Sequence, residues 1–177
     1  VVAFVEGSSL PDLSAEGTRG TNPHHWRNFF SLGPDGFSPI IFDHDGAIVD
    51  DEFGVGSRFH ILGFSSLDTD VTVAASIPDA SIVINGAFFD GLGLPQSPED
   101  APSIEAFKAT MVHEIGHFLN LDHNVLNHEA ANDGNPANDV FLPSMFPLVA
   151  EDEAALASLN PDDQAALLGL YPPAGPA

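Results

Sequence analysis

His113-Glu114-Ile115-Gly116-His117-Phe118-Leu119-Asn120-Leu121-Asp122-His123 carries three imidazoles and one acid at fixed spacing, and the rest of the chain reads as scaffold around it. An α-helix advances about 100° per residue, so His113 and His117, four positions apart, stack on one face as a two-toothed chelate. Neutral imidazole suits zinc, and a catalytic zinc takes three protein ligands with a fourth position left open. The third ligand must come from beyond the helix. His123 supplies it if the helix stops near Leu119 and the chain folds back through a residue that tolerates a left-handed backbone. Asn120 stands there, second only to glycine in that tolerance. Glu114 is turned by about one residue from the ligand pair, where its carboxylate reaches a water on the metal instead of the metal itself. That makes it the candidate general base and then acid.

Ser103 is placed to cap the helix that runs to about Leu119. Ile104, Phe107, Met111, Ile115 and Phe118 recur at helical spacing as an apolar core stripe. The nearly opposite face carries Ala106, Ala109, Thr110 and Gly116 beside the histidines, small residues that leave room for a metal and for close packing. A helix with both faces committed is expected inside the domain.

His-Glu-x-x-His with a further His six positions on resembles the zinc signature of the metzincin metalloproteases, and with Leu121-Asp122-His123 it resembles most the matrixin branch, including bacterial matrixins. Pro143-Ser144-Met145-Phe146-Pro147 resembles the Met-turn of that clan, with Phe146 where matrixins usually carry tyrosine. Leu159-Asn160-Pro161-Asp162-Asp163-Gln164 with Leu170-Tyr171 resembles the closing helix of the matrixin catalytic domain. The chain departs from the pattern at Asn120, where glycine is usual. The resemblance spans residues 40 to 172 or so and implies an α+β fold: a twisted, mostly parallel sheet with an antiparallel edge strand, an active-site helix and a C-terminal helix. It implies Met145 as a hydrophobic base beneath the ligands. Some relatives add a tyrosine two places after that methionine to the metal; Pro147 stands there, which points to three histidines and a water.

Two further roles follow from the resemblance. Ser81 to Phe89 reads as a strand, and its place before the zinc helix implies the edge strand above the cleft, with Asn85, Gly86 and Ala87 holding an extended peptide by main-chain hydrogen bonds. The alternative is an ordinary buried strand, over which its order just before the zinc helix favours the cleft role. The long connection from 124 to 142 is expected to shape the pocket for the side chain after the scissile bond, with His128, Glu129, Asp133 and Asp139 as exposed polar loop residues.

Lys plus Arg total 4 against 26 Asp plus Glu, for a formal charge of -22 over 177 residues. Such a surface repels phosphate backbones and anionic membranes, which argues against nucleic-acid binding. Cysteine is absent, so no disulfide or thiol chemistry is available. No stretch approaches the roughly 18 apolar residues of a membrane span.

Elsewhere, Val1 to Val5 and Ser38 to Phe42 read as strands, with Arg58 to Phe64 and Val71 to Ala75 as further ones. Asp43-His44-Asp45-Gly46 followed by Asp50 alternates oxygen ligands around a glycine, which suits calcium as well as a plain Asx-rich turn; Asp43, Asp45 and Asp50 are the candidate ligands. Residues 7 to 39 lack a helical period, whereas the matrixin fold opens with a strand and a long amphipathic helix. The expectation is that the chain begins after that helix and that an N-terminal segment or a partner chain completes the fold. In the alternative, the region around His25-Trp26-Arg27-Asn28-Phe29-Phe30 fills the same space. Asn160 is placed to cap a last helix that ends near Tyr171, where prolines follow.

Together these readings give a catalytic domain over 1–172 with a terminal tail over 173–177, acting as a secreted zinc endopeptidase on protein or peptide substrates. An acidic, calcium-dependent binding or structural module with a vestigial zinc site is the alternative. Narrower variants place Glu129 on the metal instead of His123, or a second, structural zinc on His44 or His60.

Overall fold

In the computed structural model, residues 13–17, 22–30, 38–68, 79–89, 102–148 and 153–173 are described. Strands form where branched and aromatic residues cluster: β1 (Ile40–Asp43), β2 (Gly63–Asp68) and β3 (Asp79–Asn85). Among the described residues they make a mixed sheet in the order β1-β3-β2, with β1 parallel and β2 antiparallel to β3. Ile41 lies opposite Val83, Gly63 opposite Ile84, and Ser65 opposite Ile82.

That register sorts the side chains onto two faces. Ile41, Val83 and Phe64 share one, against Trp26, Phe30, Leu13 and Ala15 and against Ile48 of α1 (Ala47–Phe53). Trp26 meets Phe30 edge-on at 4.8 Å, and its indole N–H donates to Asp51 at 2.8 Å. The second face carries Ile82, Ile84, Gly63 and Ser65 and receives the long helix. Ile82, Val83 and Ile84 are 0–1 % exposed, and burying each contributes about 1.5–3 kcal/mol. The segment around His25 thus packs Trp26 and Phe30 against this face of the sheet. The expected strands at Val1 to Val5 and Val71 to Ala75 lie outside the described residues.

Three expectations are corrected. The segment read as one strand from Ser81 to Phe89 divides into β3 and the short α2 (Gly86–Phe89), and β3 is central, not an edge. β1 and β2 use both of its hydrogen-bonding sides, and packing on both faces favours the unbroken apolar run that the sequence shows. Among the described residues the antiparallel edge is β2 instead. The strand expected from Arg58 begins only at Gly63, because Arg58 is held in a 3-10 turn by Asp50.

α3 (Ile104–Phe118) starts as expected: Ser103 Oγ accepts from Ala106 N at 3.0 Å, a cap contributing about 1 kcal/mol. Its most buried face, however, is the small-residue face with Ala106, Thr110, Glu114 and Gly116, while Ile104 is 65 % exposed. At Gly116 the Met145 side chain comes too close for a larger residue. Two short 3-10 helices, Ala130–Asn132 and Pro136–Phe141, occupy the connection after the third histidine, and Asp139 within it is buried, not exposed. α4 (Glu153–Leu156) and α5 (Pro161–Leu170) close the chain. Asn160 holds the N-cap position of α5, but its side-chain amide donates to the Leu142 carbonyl instead of capping. Among the described residues no helix is long and apolar enough to cross a membrane.

Candidate metal centre

α3 presents His113 and His117 one turn apart, their rings 4.7 Å from centroid to centroid and nearly perpendicular. The helix then ends in a Schellman motif: Leu121 N donates to Gly116 O at 2.9 Å and Asn120 N to His117 O at 2.7 Å. Asn120 takes the left-handed position, with φ 66°. This reversal brings His123 back over the helix. The Nε2 atoms stand 3.1 Å (His113–His117), 3.1 Å (His117–His123) and 3.2 Å (His113–His123) apart.

The other ring nitrogens explain the aim. His113 Nδ1 lies 3.0 Å from the Ser144 carbonyl and His117 Nδ1 lies 2.8 Å from the Leu121 carbonyl. A carbonyl only accepts, so each Nδ1 carries the hydrogen and each Nε2 presents a lone pair to the common point. Two lone pairs cannot bond each other; a cation between them can be bound by both. Nitrogens around a tetrahedral zinc at about 2.0–2.1 Å stand roughly 3.3–3.4 Å apart, close to the spacing here. His113, His117 and His123 are the group that could hold a metal ion among the described residues. Burial, and then the neighbouring imidazoles, lower His113 to about 4 against the opposing pull of the Ser144 carbonyl. Burial and His117 lower His123 as well, with Asp122 opposing. Neutral imidazoles are the form that binds a metal.

Next to Ser144 in the chain, Met145 is 1 % exposed and its sulfur lies against Gly116, where an added Cβ would collide with it. The turn is pinned from both sides. Asp163 Oδ2 accepts from Ser144 N at 2.7 Å, Ser144 Oγ donates to Ser158 O at 2.7 Å, and Asn124 N donates to Met145 O at 2.9 Å. The Ser144 carbonyl that orients His113 is therefore itself held by α5 and the segment before it.

Glu114 is 4 % exposed, between the sheet and the cleft. Burial raises its carboxyl to about 7, and a hydrogen bond from the Ser65 hydroxyl, 2.8 Å from Oε2, opposes the rise. A cavity of about 770 Å³ runs along the histidines and Glu114, between β2 and α3, and reaches Thr110, Phe146 and Leu156. An acid that titrates near neutrality beside three metal-ready imidazoles can accept and return a proton in such a cleft.

Other expected site residues lie elsewhere. Asn85 is fully buried, its amide donating to the Arg58 and Ile61 carbonyls at 2.8 Å each, and Ala87 is 1 % exposed; Gly86 begins α2 against the Phe42 ring. None of the three offers an edge to a peptide. Asp43, Asp45 and Asp50 do not gather into a metal-holding group among the described residues. Asp43 Oδ2 accepts from Val49 N, Asp45 Oδ1 from Ala47 N, and Asp50 pairs with Arg58 at 2.7 Å while accepting from Gly56 N. Burial raises Asp43; for Asp50 the Arg58 and Gly56 bonds overcome burial and hold it low. In the structure these acids serve helix entry and turn bracing, the work of an Asx-rich turn. Glu129, His44 and His60 are outside the metal group, although His60 lines the cavity. Ser65 escaped the sequence reading because a serine on a strand carries no pattern until the strand is placed against α3. Comparisons with family models, curated proteins and solved structures find no match.

Proposed function

We propose that this chain is a zinc-dependent endopeptidase of metzincin type, resembling the matrixins and acting outside the cell. The observation that carries the proposal is the convergence of His113, His117 and His123 Nε2 on one point beside the buried Glu114, in a cleft bordered by β2, an edge strand among the described residues. The three histidines would hold zinc, which supplies Lewis acidity toward a carbonyl and a water. The rest is the work of the chain. β2, at the sheet edge, lines up an extended peptide by main-chain hydrogen bonds, and the apolar end of the cavity by Phe146 and Leu156 takes a side chain beside the cut. Glu114 takes a proton from the attacking water and returns it to the leaving amine. The Ser144 carbonyl keeps the His113 ring in place and the Leu121 carbonyl the His117 ring throughout.

The test is cleavage of a mixed peptide library, read by mass spectrometry, for the parent and Glu114→Ala in zinc-containing buffer. Cleavage by the parent that disappears in the variant and on chelation supports the proposal. Silence from a zinc-loaded parent overturns it in favour of a binding module with a vestigial site.

A further inference from the structure

Gly63 and Ser65 occupy alternate positions on β2 and therefore face α3 together. Ser65 Oγ lies 2.8 Å from Glu114 Oε2 and 2.9 Å from the Glu114 carbonyl oxygen. At Gly63 an added Cβ would stand 2.9 Å from the Val83 carbonyl oxygen, 3.2 Å from Glu114 Cγ and 3.3 Å from Glu114 Oε1. One position grips the side chain by a hydroxyl and the other makes room by lacking one. Backbone lies beyond Gly63, so that room cannot be recovered by a rotamer change.

A carboxylate that is 4 % exposed has little water to orient it, so a protein donor must. A serine hydroxyl has one proton and two lone pairs. Aimed at Oε2, that proton fixes the carboxylate plane before a substrate arrives, and proton transfer needs such preset geometry. We infer that Ser65 is a positioning residue for Glu114, holding its carboxylate by Oε2 while Gly63 leaves the space that the side chain occupies. This rests on the proposed role of Glu114 as the base.

The experiment compares parent, Ser65→Ala, Ser65→Thr and the exposed neighbour Ser66→Ala with two readouts. The first is peptide cleavage by the zinc-loaded proteins, alongside zinc affinity by chelator competition. Ser65→Ala is expected to lower kcat about 10- to 100-fold, the usual effect of losing a partner one shell out, with KM and zinc affinity unchanged. Ser65→Thr keeps the hydroxyl and restores most of the rate. The second readout is the ¹³C carboxyl signal of Glu114 in metal-free protein, which moves in Ser65→Ala and stays in Ser66→Ala. Parental kcat in Ser65→Ala, or an unmoved carboxyl signal, overturns the inference. Should Ser65→Ala fail to fold, Ser65→Cys, similar in size but a weak donor, is read in the same way. If the parent cleaves nothing, the endopeptidase proposal fails by itself, and the carboxyl signal still decides whether Ser65 holds Glu114.

Discussion

Glu114 ionises near 4.5 as an ordinary carboxyl and near 7 in its buried position, so between those values the folded metal-free protein keeps a proton that the unfolded chain has lost. The stability linked to this group is present below about 4.5 and is lost as pH rises through about 7. His113 acts in the opposite sense, since its folded value near 4 is below its ordinary 6.5 and it destabilises the fold as pH drops through that window. Glu114→Gln removes the first effect alone. Metal-free Glu114→Gln should therefore gain in melting temperature relative to the parent as pH is raised from about 4.5 to about 7, with the difference level above that. In the zinc-loaded protein the same substitution should lower kcat by about 10²- to 10⁴-fold with zinc retained, measured by peptide cleavage and metal analysis. The spacing of His113, Glu114, His117 and His123 makes their convergence legible from the sequence alone, because one helix and one reversal fix their geometry. Asp43, Asp45 and Asp50 show the opposite: an alternating acid pattern does not tell a carboxylate that ligates from one that braces a backbone turn.

At the scale of elements, α3 and its termination do most to shape the site. Its start at Ser103 and its stop before Asn120 were both readable, because caps and left-handed positions depend on local chemistry. Asn120→Gly should preserve zinc binding and stabilise the fold by up to about 1 kcal/mol, since glycine adopts this backbone without strain. Asn120→Val should cost more than about 1 kcal/mol and weaken zinc, because the reversal that delivers His123 is strained; chemical denaturation and chelator competition measure both. Gly116→Ala should cost about 1–3 kcal/mol through overpacking against Met145 and also loosen the metal. The strands were less legible. β3 looked like an edge from its order in the chain, but order does not say which neighbours pair with a strand, and here β2 turns back antiparallel on its far side.

The whole molecule carries a formal charge of -22, and among the described residues Arg27, Arg58 and Lys108 each stand in an ion pair with a carboxylate. Self-repulsion on this scale opposes compactness and is screened by salt, with a Debye length of about 10 Å at 0.1 M and about 3 Å at 1 M. The melting temperature should rise as sodium chloride is increased over that range. The same field should speed encounter with cationic substrates: kcat/KM for a lysine-containing peptide should exceed that for its neutral counterpart at low salt, and the advantage should fade as salt is added.

By itself the sequence determined the chelating pair, the acid beside it, the reversal that returns a third imidazole, the ends of α3 and the charge. All of these depend on spacing along one helix, on local backbone preference or on counting. Only the tertiary structure decided which strand is the edge, which carbonyls orient His113 and His117, that Asp163 braces the Ser144 turn, and that Ser65 meets Glu114. Ser65 and Glu114 are 49 residues apart, and Ser144 and Asp163 are 19. Contacts across such separations are made by packing a sheet and two helices together, and a single strand or helix read alone carries no record of its partner's register.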